Sequence, residues 1–444
     1  MQKNWRTLGQ FKGLNMPQLS GQKLATPFPP VIRVYEHDVL RIGDQCGDVC
    51  FSERHLESLA ELSGRMRQPY FSLGHRSVRF RSFVGILATS ALTVEILPKA
   101  DRQSVHRQDN WQGILVDLLQ ACGFVRTESP GMALLDTRPG ALLDWYLRTF
   151  IAELRALLRH GLLHQYRTVE AELGVLKGKL NVSRQIRQQA FHRERFQVQY
   201  DRYSNRHPAN LMIGAALHKL QFLTIGSELR TQLKYLAELF PRPTSADPVQ
   251  LLTPEDLHRD RRLDRYGPAL TIARHILQDE RPDIRSGAFR GLALLFDMNQ
   301  LFEAYLYRQL LQWKVPGMDV ERQQSTVFWG QNRLRPDLVI ASPQGRWVLD
   351  TKWRLLQNQQ PSAAELRQVY VYCDYFRAHR GVLIFPHTGP EPVSQLQSYA
   401  PLPAAKPQYR SCQLLFARVL NPEGQLNREL GRELVELLGI AGER

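Results

Sequence analysis

The sequence predicts a multidomain α+β protein: a β-rich N-terminal domain, a central, mostly helical arm and a C-terminal α/β domain built on a mixed sheet. Three observations predict it. Between Val31 and Lys99 short β-type runs alternate with turn residues. From Trp111 apolar residues recur at helical spacing. Beyond residue 290 helix and strand patterns interleave, as layered α/β packing requires. A chain of 444 residues has length for about three domains of ~150 residues each. The boundaries read as a loose leader over 1–30, a small β-rich domain over 31–110, the arm over 111–289 and the last domain over 290–444.

In chain order, the leader is polar, holds Pro17, Pro27, Pro29 and Pro30, and shows no periodicity. The β-rich domain carries Val31–Tyr35, Ser77–Val84 and Leu92–Leu97, with one helix near Ser52–Met66. In the arm, Leu143, Leu147, Phe150, Leu154, Leu157 and Leu158 fall at three- and four-residue spacings, between Pro139-Gly140 and Gly161. Gly174–Asn181 reads as a hairpin element, and helices follow at Ala209–Leu223 and up to about Asp279. In the last domain Asp297 caps a helix over 298–313, with Gln300 at the N3 position. Strands are expected at Arg335–Ala341 and Arg346–Trp353, then a helix opened by the capping box Ser362-Ala-Ala-Glu365, then strands Gly381–Phe385 and Leu414–Leu420. No internal repeat is visible, and the one biased tract is Pro-rich, at 401–407.

Composition narrows the function. A hydrophobic share of 43% and a charged share of 23% exclude a disordered or collagen-like chain. The net charge of +15 is the sign expected for a phosphate-rich partner or an anionic membrane surface. No apolar run reaches the ~18 residues of a membrane span. The first residues lack an apolar leader core and the five cysteines are few, which together predict a cytoplasmic protein without membrane association. Residues 177–207 hold eight Lys or Arg against Glu194 and Asp201, so a large part of the excess sits there. Lys177, Lys179, Arg184 and Arg187 could meet DNA or an acidic partner surface, or form a solvated charged face over Phe191, Phe196 and Tyr200. His192, His207 and His258 lie in polar stretches without ligand spacing. Cys46 and Cys50 have no second Cys/His pair to complete a zinc site.

The sharpest constellation is Arg335-Pro336-Asp337 followed by Leu349-Asp350-Thr351-Lys352. Ser342-Pro343-Gln344-Gly345 between them suits a type I turn. Counting outward from a Pro343–Gln344 tip places Asp337 directly opposite Asp350, where two carboxylates repel unless a cation lies between them. Lys352, two residues on, is aimed at the same face. Almost wholly apolar neighbours suggest a buried sheet end. Two carboxylates helped by the Thr351 backbone carbonyl can hold Mg²⁺ with several waters attached, and Lys352 can orient a water or stabilise charge. That combination points to phosphodiester hydrolysis; the plainer alternative is a solvated hairpin with an incidental cluster. Arg281-Pro282-Asp283 has no matching second strand, and Glu95 to Lys99 has the wrong spacing. Gln368 and Tyr372 share one helix face, continued by Tyr375 and Phe376, for contact with the lysine, with a DNA phosphate, or simply with the sheet. Glu303 either completes the metal site or is an exposed helical residue.

Phe296-Asp-Met-Asn-Gln-Leu-Phe-Glu303, Leu334-Arg-Pro-Asp337, Val348-Leu-Asp-Thr-Lys-Trp353 and Gln368-x-x-x-Tyr372 together resemble the McrC family, the nuclease subunits of methylcytosine-dependent McrBC restriction systems. Leu176-Lys-Gly-Lys-Leu180, Tyr200-Asp-Arg-Tyr-Ser-Asn205 and Val94-Glu-Ile-Leu-Pro-Lys99 are similar too, so the resemblance spans nearly the whole chain and is strongest over roughly 290–390. It implies a PD-(D/E)xK nuclease domain with Asp337 and Asp350 as metal ligands and Lys352 as the catalytic lysine. It also implies an AAA+ GTPase partner, McrB, that reads the modified base, double-stranded DNA as substrate, and stimulation of the partner's GTPase. A non-cutting adaptor that regulates such a motor is the alternative, and the intact Asp337, Asp350 and Lys352 speak against it. Gly174–Leu180 is one residue short of a phosphate loop and has Leu180 where a Ser or Thr must bind Mg²⁺, so this chain is not expected to bind GTP.

Overall fold

The computed structural model describes residues 29–98, 111–124, 140–188, 194–244, 249–278, 291–356, 360–387, 393–399 and 411–440. Nearly all of the expected leader, the 401–407 tract, His192 and the Arg281-Pro282-Asp283 decoy lie outside them. Among the described residues no helix is long and apolar enough to cross a membrane.

The N-terminal part is built on a four-stranded sheet ordered Val31–Tyr35, Thr93–Leu97, Phe83–Ala88, Leu292–Asp297. The first pair is parallel and the other two are antiparallel. The fourth strand comes from the segment expected to open the last domain, so the sheet ties the first part of the chain to the start of the last. Gly85 permits this join: a Cβ there would lie 2.1 Å from the Leu294 carbonyl oxygen, and its φ of 128° suits glycine alone. The expected helix appears as Glu53–Arg65, capped by Ser52.

Behind this sheet lie Trp111–Ala121 and Ala141–Arg159, whose predicted apolar stripe is buried together with Pro208–Leu220, Ser227–Leu239 and Gly267–Leu277. Glu95, fully buried, knits the layers together. Its Oε1 accepts the Gly140 N–H at the start of Ala141–Arg159 (2.9 Å), and its Oε2 accepts from Gln112 (2.6 Å) and Arg33 (3.2 Å). A carboxylate at a helix N-terminus meets unsatisfied N–H groups and the positive end of the helix dipole.

The expected hairpin at Gly174–Asn181 is different. Lys179–Leu180 pairs with Phe196–Ser204, which in turn runs antiparallel along the whole of Gln165–Leu173. The arm is therefore helices plus a three-stranded sheet. Gly178 marks the reason, since a Cβ there would meet the Gln199 carbonyl oxygen at 2.4 Å.

The last part is a six-stranded mixed sheet ordered Asp319–Arg322, Leu338–Ser342, Gly345–Thr351, Arg380–His387, Ser411–Arg418, Val393–Ser398. The pairs involving Arg380–His387 are parallel and the rest antiparallel. Strand alternation sorts its residues into two cores. Leu338, Ile340, Leu349, Val382 and Ile384 face the large core, under helix Met298–Gln312. Val339, Val348, Leu383 and Phe385 pack with Val369, Tyr372 and Cys373 of helix Ala363–Tyr375 on the other side. Gly381 lets that helix approach closely, because a Cβ there would meet Val369 at 2.1 Å. Helix Ala363–Tyr375 opens with the predicted Ser362/Glu365 capping box.

Candidate active site

The hairpin Leu338–Ser342/Gly345–Thr351 has the predicted register: Ser342 faces Gly345 and Leu338 faces Leu349. Asp337 is the residue just before the first strand, and Asp350 and Thr351 end the second. Lys352 follows, with its N–H donating to the Ile384 carbonyl (2.9 Å), so the parallel ladder fixes its backbone.

Asp337 Oδ2 accepts both the backbone N–H and the hydroxyl of Thr351, at 2.6 and 2.8 Å. Lys352 Nζ is 2.8 Å from Asp350 Oδ2, an ion pair at the buried end of the sheet. Burial and then the nearby charge of Asp337 push the Asp350 carboxyl up to about 6, against the pull of Lys352. Burial opposes the charge on Lys352, but Asp350, Asp337 and Glu365 outweigh it and hold the ammonium above its ordinary pKa. Lys352 is therefore a cation at neutral pH.

Glu303, on helix Met298–Gln312, is buried rather than exposed. Its Oε1 accepts from Arg322 Nε (2.8 Å), and both its oxygens accept from Gln323 Nε2 (2.9 and 3.1 Å). Burial, then the charge of Asp337, raise its carboxyl above the usual range although Arg322 opposes them. It faces the site from behind these two donors. Gln323 joins three parts: besides Glu303, its N–H donates to the Asp337 carbonyl (2.9 Å) and its Oε1 accepts from Arg335. It does this from a left-handed φ of 52°. Gln368 Nε2 donates to Tyr372 Oη (2.8 Å), which donates to the Arg335 carbonyl (3.4 Å). Burial raises the Tyr372 hydroxyl, with Asp350 and Asp337 adding to it. Glu303, Gln368 and Tyr372 thus gather around the Asp337/Asp350/Lys352 centre.

Sequence reasoning missed Arg322, Gln323, the Thr351 side chain and Asn299, whose Oδ1 accepts the Trp353 N–H at 3.1 Å. No spacing rule links residues brought together from separate strands. The Asn299 position alone carried a signal, being near the start of the helix that Asp297 caps.

The centre fits a hard cation. Asp350 Oδ2 is buried, and among the described residues its contact is the Lys352 ammonium at 2.8 Å. Among the described residues no three His, Cys, Asp or Glu side chains converge as a metal site. Two carboxylates and water suit Mg²⁺, which keeps part of its hydration shell.

The basic arm lies elsewhere. Arg184 pairs with Glu170, Arg195 pairs with Glu172 (2.9 Å), and Lys177 Nζ sits 4.4 Å over the Tyr200 ring. Lys179 and Arg187 are exposed.

A family model described as a McrBC 5-methylcytosine restriction system component matches residues 78–386. The chain belongs to that family. The match takes in the Asp337/Asp350/Lys352 centre, both helices beside it and the arm. A solved half-complex from a tetradecameric assembly of Thermococcus gammatolerans McrB AAA+ hexamers with bound McrC shares the fold, with a TM-score of 0.59 and 20% identity over 92% of this chain and 99% of the matched chain. The cryo-EM structure of the Thermococcus gammatolerans McrBC complex is similar at a TM-score of 0.44 and 22% identity, over 64% of this chain and 87% of that one. No curated protein sequence matches the chain.

Proposed function

We propose that this McrBC-family chain is the DNA-cutting subunit of a GTP-driven restriction complex acting on double-stranded DNA with modified cytosine, and that its C-terminal part is a PD-(D/E)xK nuclease domain. One observation carries the reading. Two carboxylates at the ends of adjacent inner strands lie close enough to act on each other, beside a part-buried lysine ammonium, in a mixed sheet with a helix on each face.

Asp337 and Asp350, with the Thr351 backbone carbonyl, would hold the cation. A Mg²⁺ held by these groups would supply a coordinated water of lowered pKa and would offset phosphoryl charge. The protein's own groups do the rest. Thr351 holds one oxygen of Asp337 and so fixes that carboxylate's rotamer. Lys352 presents a permanent positive charge where negative charge develops during phosphodiester cleavage. Glu303, Gln323 and Arg322 fix the loop ahead of Asp337, and Tyr372 holds its other side through the Arg335 carbonyl. These are positioning residues.

The Thermococcus assembly combines McrB AAA+ hexamers with bound McrC, which supports an AAA+ GTPase as the partner of this chain. GTP is then the partner's ligand, and the arm around Lys177, Lys179, Arg184 and Arg187 docks on the motor and stimulates it. The chain acts in the cytoplasm, where its DNA substrate is. The test is cleavage of a methylcytosine-bearing duplex by the full chain with its motor, GTP and Mg²⁺. Mg²⁺-dependent cutting that disappears with Asp350→Asn is expected; no cutting by the unaltered complex, or undiminished cutting by the variant, overturns the reading.

A further inference from the structure

Beside the candidate active site stands a second hairpin that the reading so far does not use. Thr326–Trp329 pairs with Asn332–Leu334, with a register shift between Val327 and Trp329. Such a bulge re-aims side chains, and here the large apolar residues face solvent: Val327 is 53% exposed, Phe328 47% and Trp329 76%. Phe328 is backed edge-on by Tyr375 at 5.5 Å, from the helix that also carries Gln368 and Tyr372. Trp329 at this exposure adds little to a core, whereas tryptophan is on average a highly buried residue.

We infer that this hairpin is a nucleic-acid contact in which Trp329 stacks on a base of the DNA engaged at Asp337 and Asp350; the inference deepens the nuclease reading and rests on it. Three observations carry it. From Arg322 to Pro336 the chain has three arginines, Arg322, Arg333 and Arg335, and no carboxylate. Arg322 pairs with Glu303, while Arg333 and Arg335 meet neutral acceptors among the described residues and keep their charge for a phosphate. Interleaved aromatic and basic residues are the chemistry that binds bases and phosphates together. Next, the hairpin is tied to the Asp337 loop: Arg333 donates to Ser325 at its base, and Arg335, just past its second strand, bonds Gln323, whose N–H donates to the Asp337 carbonyl. Last, the distance fits. The five peptide steps from Asn332 to Asp337 span at most ~18 Å. A cross-strand neighbour adds ~5 Å, so Trp329 lies within about 23 Å of Asp337, less than the ~34 Å of one turn of B-DNA. A duplex with a phosphate at the metal site meets Trp329 if its axis runs toward the hairpin, which is what the inference requires. Apolar side chains inserted at base steps are a known way of gripping a duplex.

The test uses the full chain with its motor, and compares Trp329→Ala, Trp329→Phe and Trp329→Leu. Cleavage is followed in each, duplex affinity is measured with Asp350→Asn added to prevent cutting, and GTP turnover is recorded alongside. Trp329→Ala is expected to weaken duplex affinity and slow cleavage about tenfold, within the range of one lost base stack. Trp329→Phe should restore most of the loss and Trp329→Leu should not, because leucine fills space without a π face. GTP turnover should be unchanged. Equal affinity and cleavage in Trp329→Ala overturn the inference, as does full rescue by Trp329→Leu. A parallel loss of GTP turnover assigns the hairpin to the motor instead and overturns it too. A complex that never cuts, yet loses duplex affinity with Trp329→Ala, refutes the nuclease reading and keeps this one; a parent complex that does not bind duplex refutes the inference.

Discussion

Thr351 gives both its hydrogen-bond donors to one oxygen of Asp337, while its neighbour Asp350 is met by the Lys352 ammonium. The two carboxylates, alike in sequence, are therefore unlike in energetic role. Asp337→Ala strands the N–H of Thr351, which is buried, and should cost about 1–3 kcal/mol of stability. Asp350→Asn removes a buried charge from beside another carboxylate and should hold or raise the melting temperature. Sequence pattern alone implied that removing either would relieve repulsion. Both variants should lose cleavage, so paired thermal melts and cleavage assays separate the two effects; retained cutting by either removes it from the ligand set.

Lys352→Ala should abolish cleavage, by on the order of 10²–10³-fold, while Mg²⁺ affinity measured by calorimetry persists or tightens. The Lys352 ammonium holds Asp350 Oδ2, the oxygen a metal would need, so its removal would free that oxygen. Loss of Mg²⁺ binding in this variant contradicts a role confined to the reaction step.

Gln323→Gly keeps the left-handed backbone, which glycine adopts freely, and deletes only the side chain between Glu303 and Arg335. Cleavage should fall roughly 10–100-fold, as for other partners that orient metal ligands, with folding retained. Full activity with this variant leaves Gln323 no positioning role.

His275 sets an acid limit on the fold. It is enclosed among Tyr146, Phe124 and Phe296, its Nδ1 lying 3.2 Å from the Tyr146 hydroxyl, and burial lowers its pKa to about 3, with Arg274 adding to the effect. A base depressed in the folded state is stabilising above its unfolded pKa of ~6.5, and that contribution is lost as pH falls from there to about 3. Denaturant melts should show stability declining below pH 6.5. In His275→Gln the decline should be shallower; an identical slope means other groups set it.

Charge reversal at Lys179 and Arg187 should lower stimulation of the motor's GTP turnover and flatten its salt dependence, since exposed charges act over a Debye length of ~8 Å. Arg184→Glu is a different experiment, because it also breaks the pair with Glu170 that anchors helix Val182–Gln188 to the arm's sheet. Unchanged turnover in the Lys179/Arg187 double variant places the motor contact off this face.

The hairpin register, the Ser362 capping box and the stripe over 141–159 were legible because each is set by neighbours in sequence: a turn, a cap, a helical period. Lys352 beside Asp350 followed from strand alternation. What could not be read depends on distant partners. Glu303 could be read either as completing the site or as an exposed helical residue, because its burial depends on Arg322 and Gln323, which reach it from another strand and the residue after it. Leu292–Asp297 carries the pattern of any buried strand, and nothing local tells which sheet accepts it. Lys179–Leu180 turned to Phe196–Ser204 because glycines at 174 and 178 leave its register locally unfixed.

The join between Phe83–Ala88 and Leu292–Asp297 imposes an order of events on the ribosome. Three strands of the first sheet emerge early, but the fourth follows roughly two hundred residues after Leu97, which at 5–20 residues per second is a wait of about 10–40 s. Throughout that interval Phe83–Ala88, apolar along nearly its whole length, is an open strand edge. The nascent chain must shield that edge, with a chaperone or with its own emerging arm, until its proper neighbour is made. Truncation before residue 292 leaves the edge permanently unpaired, so shortened versions of this protein should be recovered as aggregates rather than as smaller working units.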